Sequence, residues 1–224
     1  MLIKNSLNEI PLKEFKANEM NLYFLVLQGL ISNVAAGSTQ KLFPYDDLAQ
    51  ELIPSRMVHE IKVDIENVAY KSKRLFYFGK ELLPSPLFKK FDADSESQIL
   101  EVEINPALID LFTIDKEWTN FNLKDFFAIR SKYGKTLYRL LKQYQVIGKR
   151  SFELTDYRRL MGIPDNYRMA KVRQFMIDST VTELLPYIGN LNYSIERHGW
   201  KLEKVTFTFD SRKKQLLQQN NDEK

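Results

Sequence analysis

Apolar residues recur along this chain at two spacings, three-to-four and two, and the switches between them outline its elements. After Asn18, Leu22, Leu25, Val26, Gly29 and Leu30 keep helical spacing. Residues 34–40 read as loop, FPYDDLAQEL as a short helix over about 45–53, and Pro54-Ser55 as punctuation with Ser55 capping a longer helix. In that helix, 57–74, Val58, Ile61, Ile65 and Val68 form the apolar stripe, while Lys62, Tyr70, Lys71, Lys73 and Arg74 lie off it. Strand-like runs follow at 75–79, 87–91 and 98–105, and in the last of them Leu100, Val102 and Ile104 alternate with Glu101 and Glu103. Asn105-Pro106 then opens a helix through Phe112.

A similar order recurs after a boundary near residues 115–120. Asn122 caps one helix, Leu137, Leu140, Leu141 and Tyr144 stripe the next, and Thr155 caps a third that stops at Gly162. A long helix over about 169–185 precedes two β-branched and aromatic runs, NLNYSIE and KLEKVTFTF, joined through Arg197-His198-Gly199-Trp200. Helix, helix, helix and hairpin is the order of a winged helix, and it occurs twice without repetition of letters. The expected fold is therefore α+β, two tandem winged-helix domains: 1–118, 119–210, and a frayed polar tail over 211–224.

Composition narrows the chemistry. The 224 residues include no cysteine and two histidines, His59 and His198, far apart in sequence. Thiol nucleophiles and cysteine zinc sites are excluded, and a histidine-rich metal site is not expected. The lack of cysteine makes a reducing cytoplasm the expected compartment, and no apolar run reaches the roughly 18 residues of a membrane helix. Charge is unevenly spread: residues 1–118 carry 13 Lys/Arg and 18 Asp/Glu, residues 119–210 carry 16 and 9. The basic second half suggests a polyanion partner.

At about 100° per residue, Ala170, Ile177, Val181 and Leu184 share one face of the 169–185 helix, Arg168 and Lys171 lie opposite, and Arg173 and Gln174 flank the apolar face. Such a helix suits major-groove entry, where arginine reads guanine and glutamine reads adenine. A solvated basic face would show the same pattern. Val172 and Phe175 point off the stripe and are expected to pack against a neighbouring helix rather than touch thymine methyl groups. Arg130, Lys132, Lys135, Arg158, Arg159, Arg197 and Lys201 are candidate phosphate contacts. In the first half, Lys71, Lys73 and Arg74 form the one end of the 57–74 helix attractive to phosphate. A magnesium site on Asp92, Asp94, Glu101 and Glu103 would make a nuclease, but the alternation places Glu101 and Glu103 on the wet face of a strand. No Gly-x-Gly or Walker sequence is present, and neither enzyme activity nor a cofactor is expected.

The stretch FFAIRSKYGKTLYRLLKQY, then ELTDYRRLMGIPDNYRMAKVRQFMIDSTVTEL and the closing KLEKVTFTF, resembles the iteron-binding initiator proteins of theta-replicating plasmids, most clearly over 119–210. The resemblance implies a tandem winged-helix protein that binds repeated double-stranded origin sites. It also implies control of copy number and of its own gene through a monomer–dimer equilibrium, and recruitment of a host initiator and replicative helicase. By motif position, DNA contact carries over to Tyr167, Arg168, Lys171, Arg173 and Gln174. A winged-helix transcriptional regulator without a replication role is the alternative within the same class.

Overall fold

A computed structural model describes residues 1–52, 58–74, 77–78, 81–82, 86–113, 117–198 and 201–211. The chain forms two compact units, 1–10 with 14–127, and 11–13 with 128–224. Ser55, Gly199, Trp200 and tail residues 212–224 lie outside the described residues, as do the side chains of His59, His198 and Lys201.

The first unit opens with β1 (Leu2–Lys4) and α1 (Asn5–Asn8), followed by α2 (Ala17–Ala35), β2 (Gln40–Pro44), α3 (Tyr45–Leu52) and α4 (Val58–Ser72). Two-residue strands β3 (Tyr77–Phe78) and β4 (Glu81–Leu82) precede β5 (Phe88–Asp94), β6 (Ile99–Ile104), a 3-10 turn (Pro106–Leu111) and β7 (Trp118–Asn120). Antiparallel pairing gives the order β2-β6-β5. In β6, Leu100, Val102 and Ile104 are fully buried while the glutamates between them face outward, as alternation requires. An aromatic cluster fills the core, with Phe24 4.9 Å from Phe126 and 5.8 Å from Phe121, edge to face. The domain boundary consequently falls after Phe127 rather than at 118. β7 pairs with β1, Leu2 opposite Asn120, and Phe121 and Phe126 belong to this core.

The second unit repeats the topology. After α5 (Leu123–Ala128), which closes the first unit, come α6 (Lys132–Lys142), β8 (Lys149–Glu153), α7 (Leu154–Met161), a helix over 169–184, β9 (Asn192–His198) and β10 (Lys201–Thr208), in sheet order β8-β10-β9. α7 begins one residue earlier than its predicted cap: Glu153, not Thr155, is its N-cap. Its end is as expected. Gly162 takes a left-handed φ of 64° and its N–H bonds back to the Arg159 carbonyl.

The 169–184 helix departs from the sequence reading. Only its ends, α8 (Met169–Lys171) and α9 (Ser179–Leu184), are α-helical; Val172–Asp178 is a π-helix. Val172, Met176, Ile177, Thr180 and Leu184 are buried, whereas Ala170 is exposed and Val181 half-buried. Residues four apart drift by about 40° per step in an α-helix, so 172, 176, 180 and 184 would spiral off the core. With i→i+5 bonds the middle turn holds more residues, and the stripe stays in line. Hydroxyls satisfy the under-wound carbonyls. Tyr157 Oη donates to Met176 O (2.9 Å), Ser179 Oγ to Phe175 O (2.5 Å) and Thr182 Oγ1 to Asp178 O (3.0 Å). Burial pushes the Tyr157 phenol pKa well up, which keeps it a donor.

At the far end of this helix, the Glu183 carboxylate accepts hydrogen bonds from Arg130 N (2.7 Å) and Ser131 N (2.9 Å) at the start of α6, and from Ser131 Oγ. Gly134 makes room, because a Cβ there would collide with the same carboxylate. The carboxylate also suits the positive end of α6. One glycine offers a direct test of this unit. In Gly162→Ala the new Cβ would fall 2.5 Å from Lys13 Cβ and 2.8 Å from Lys13 Cα, at a backbone angle that alanine resists. Thermal or urea unfolding should show a loss of about 1–3 kcal/mol.

Candidate nucleic-acid interface

The leading half of the 169–184 helix carries its cations outward. Arg168, at the N-cap of α8, is exposed, as are Lys171, Arg173 and Gln174, while Val172 between them is fully buried. The under-winding sets this arrangement, and it separates two residues that the sequence had grouped. Val172 packs inward; Phe175 stands 52% exposed among the cations. Tyr167 is half-buried, with Lys171 Nζ 3.7 Å from its ring centroid.

Several predicted phosphate contacts have other work. Arg158 donates from Nη1 to Pro164 O (3.1 Å) and from Nη2 to Tyr167 O (2.8 Å), fixing the loop that feeds the helix. Arg159 lies 3.6 Å from Asp156 on its own helix. Lys132 Nζ donates to Lys13 O at 3.3 Å. Arg130 and Arg197 are exposed. The expectation for Lys135 fails outright: it is 1% exposed, facing inward from α6, and reaches no phosphate from there.

The three cations predicted at the end of α4 are engaged within the first unit. Lys71 bonds to the fully buried Glu19 at 2.6 Å, Lys73 lies 2.7 Å from Asp92, and Arg74 Nη1 reaches Tyr70 Oη at 3.4 Å. The carboxylates considered for magnesium are likewise engaged. Glu101 accepts from Lys90 and Gln40, Glu103 from Lys89, and Asp94 from Ser97 and the Glu96 N–H. Among the described residues, no group of three or more His, Asp or Glu side chains could hold a metal ion, and no helix is long and apolar enough to cross a membrane.

Sequence reasoning missed Tyr157, Asp178, Glu183 and Tyr193, which shape this helix without belonging to its basic face. A signal was present in Ser179-Thr180-Val181-Thr182, a β-branched and hydroxyl run inside a helix, where such residues bond back to carbonyls.

Two units, each with a helix-turn-helix and a three-stranded sheet whose hairpin is the wing, define a tandem winged-helix protein. The chain belongs to the initiator replication protein family: residues 3–142 match the family model described as "Initiator Replication protein, WH1", and residues 153–209 match "Initiator Rep protein, WH2". A probable replication protein from Bifidobacterium longum (strain NCC 2705) is 26% identical over 217 residues, spanning 92% of this chain and 70% of that one. The crystal structure of the Pi initiator protein in complex with iteron DNA shares the fold, with a TM-score of 0.68 at 12% identity over 93% of this chain and 96% of that one.

Lys135 has a measurable signature. Burial lowers its pKa from 10.5 to about 7, against the opposing pull of Glu183. Between those two values the unfolded chain holds a proton that the native chain has released, so this group's contribution to stability rises with pH above about 7. In unfolding titrations Lys135 should add a slope of about 1.4 kcal/mol per pH unit there. Lys135→Met should remove the slope and raise stability at neutral pH.

Proposed function

We propose that this protein initiates plasmid replication by binding repeated double-stranded DNA sites at an origin, its 169–184 helix entering the major groove. The observation that carries the reading is the exposed row Arg168, Lys171, Arg173, Gln174 and Phe175 on a helix held to the core by Val172, Met176 and Ile177. Family membership supports it, as does the fold shared with an initiator solved on iteron DNA. Arginine and glutamine recognise guanine and adenine by paired hydrogen bonds, and an exposed phenyl ring suits the thymine methyl group. Arg130 and Arg197 add phosphate contacts that set register without choosing sequence. Binding energy is all the protein supplies. An array of bound copies strains the DNA and lowers the cost of opening an adjacent A·T-rich stretch. A dimeric form repressing the protein's own gene, and docking of a host initiator and helicase, complete the proposal.

Affinity for a direct-repeat origin fragment should fall steeply as salt is raised. Arg168→Ala should relax preference at one base pair, costing about 1–3 kcal/mol there, whereas Arg197→Ala should weaken specific and random duplexes alike. Equal losses on both DNAs for Arg168→Ala would refute base reading by this residue. Replacing single thymines of the site by deoxyuridine should weaken wild-type binding at one position, and Phe175→Ala should be indifferent to that replacement.

A further inference from the structure

Arg173 is unlike the other exposed cations of the helix, because side chains from two elements hold one side of its guanidinium. Tyr193, on wing strand β9, takes a hydrogen bond from Arg173 Nε at 3.2 Å and donates its own proton to Asp178 Oδ1. Asp178 Oδ2 lies 3.9 Å from the same Nε. The phenol is fixed in turn, its ring packed on buried Phe207 of β10 with centroids 6.3 Å apart. Partial burial and the Asp178 carboxylate both push the Tyr193 pKa up, so it keeps the proton it donates.

The under-wound turn makes this triad. Arg173 and Asp178 are five residues apart, and in an α-helix such a pair diverges by about 140° and does not meet. With i→i+5 bonding they stand one turn apart on the same side, next to the strand that carries Tyr193. A carboxylate on a helix facing DNA repels phosphate, so its placement needs a compensating role. Holding Nε supplies one: it leaves Nη1 and Nη2, at the end of a side chain that is 58% exposed, for two parallel bonds to one guanine edge. Preorganisation also reduces the rotamer freedom that a flexible arginine loses on binding.

We propose that Tyr193 and Asp178 are positioning residues for Arg173, so that the wing strand, through a phenol that itself touches no base, sharpens recognition of a single guanine. This rests on the DNA-binding reading above. The test is base preference measured on randomised double-stranded sites for the full chain and for Arg173→Ala, Tyr193→Phe and Asp178→Asn, with thermal unfolding of each. Arg173→Ala should flatten preference at one guanine. Tyr193→Phe keeps the ring, and should weaken preference at that same position by about 5- to 20-fold while leaving other positions unchanged. Asp178→Asn should do likewise, and the Arg173→Ala/Tyr193→Phe double variant should be no flatter than Arg173→Ala. Weakening spread evenly over all positions, flattening at a different position, or tighter binding to every sequence would overturn the proposal, the last by showing that the triad withholds Arg173 from DNA. If the wild-type chain prefers no duplex sequence, the function reading itself fails. Wild-type preference with an unchanged Tyr193→Phe profile would sink the triad's role alone.

Discussion

Winding between Val172 and Asp178 decides what the second unit presents to its surroundings. Buried residues at 172, 176, 180 and 184 stay in line against the core because the middle turn is under-wound, and that same turn sends Arg173 outward beside Asp178. Had the segment been regular α-helix, Arg173 would have rotated toward the apolar face and Val172 away from its centre. The energetic difficulty of a π-turn is its disturbed carbonyl ladder. Here three hydroxyls, from Tyr157, Ser179 and Thr182, take up carbonyls of that stretch. At the other end Glu183 ties the helix to α6, so its leading half is displayed from a fixed base.

The two units illustrate how one topology acquires different surfaces. Both order their main strands first-third-second, and both place a longer helix after a short one. In the first unit, cations near the end of α4 are committed to Glu19, Asp92 and Tyr70, and the outer face of β6 is a row of lysine–glutamate pairs. In the second, the corresponding helix leaves Arg168, Lys171 and Gln174 exposed. Exposed pairs such as Lys73 with Asp92 add little stability. Their effect is to cancel local field, which makes that surface a poorer polyanion site than the second unit's helix.

Most of the fold was legible in the sequence, because long helices and the alternating strand β6 announce themselves by period. The short strands did not. β2 buries only Phe43, and β8 buries Arg150 and Phe152, so an arginine occupies a position where a hydrophobic residue would have completed the alternation. Arg150 earns that place by lying 4.5 Å from the Tyr144 and Phe152 ring centroids while bonding to Leu140 O at 2.7 Å. β7 went unread because its partner β1 lies more than a hundred residues away. At the candidate interface, the list of cations was readable but their availability was not. Whether Arg158 faces solvent or pins a loop, or whether Lys135 faces inward, depends on tertiary packing and, for the long helix, on a departure from 3.6 residues per turn that a helical wheel assumes away.

In the proposed complex the leading half of the 169–184 helix lies against base pairs. Photocrosslinking from 5-iodouracil placed at each thymine of a bound origin repeat, with the attached residues identified by mass spectrometry, reads this contact residue by residue. Major-groove crosslinks should join the DNA to residues within 167–175. Crosslinks confined to the first unit, or to residues outside that stretch at every position, would contradict that contact.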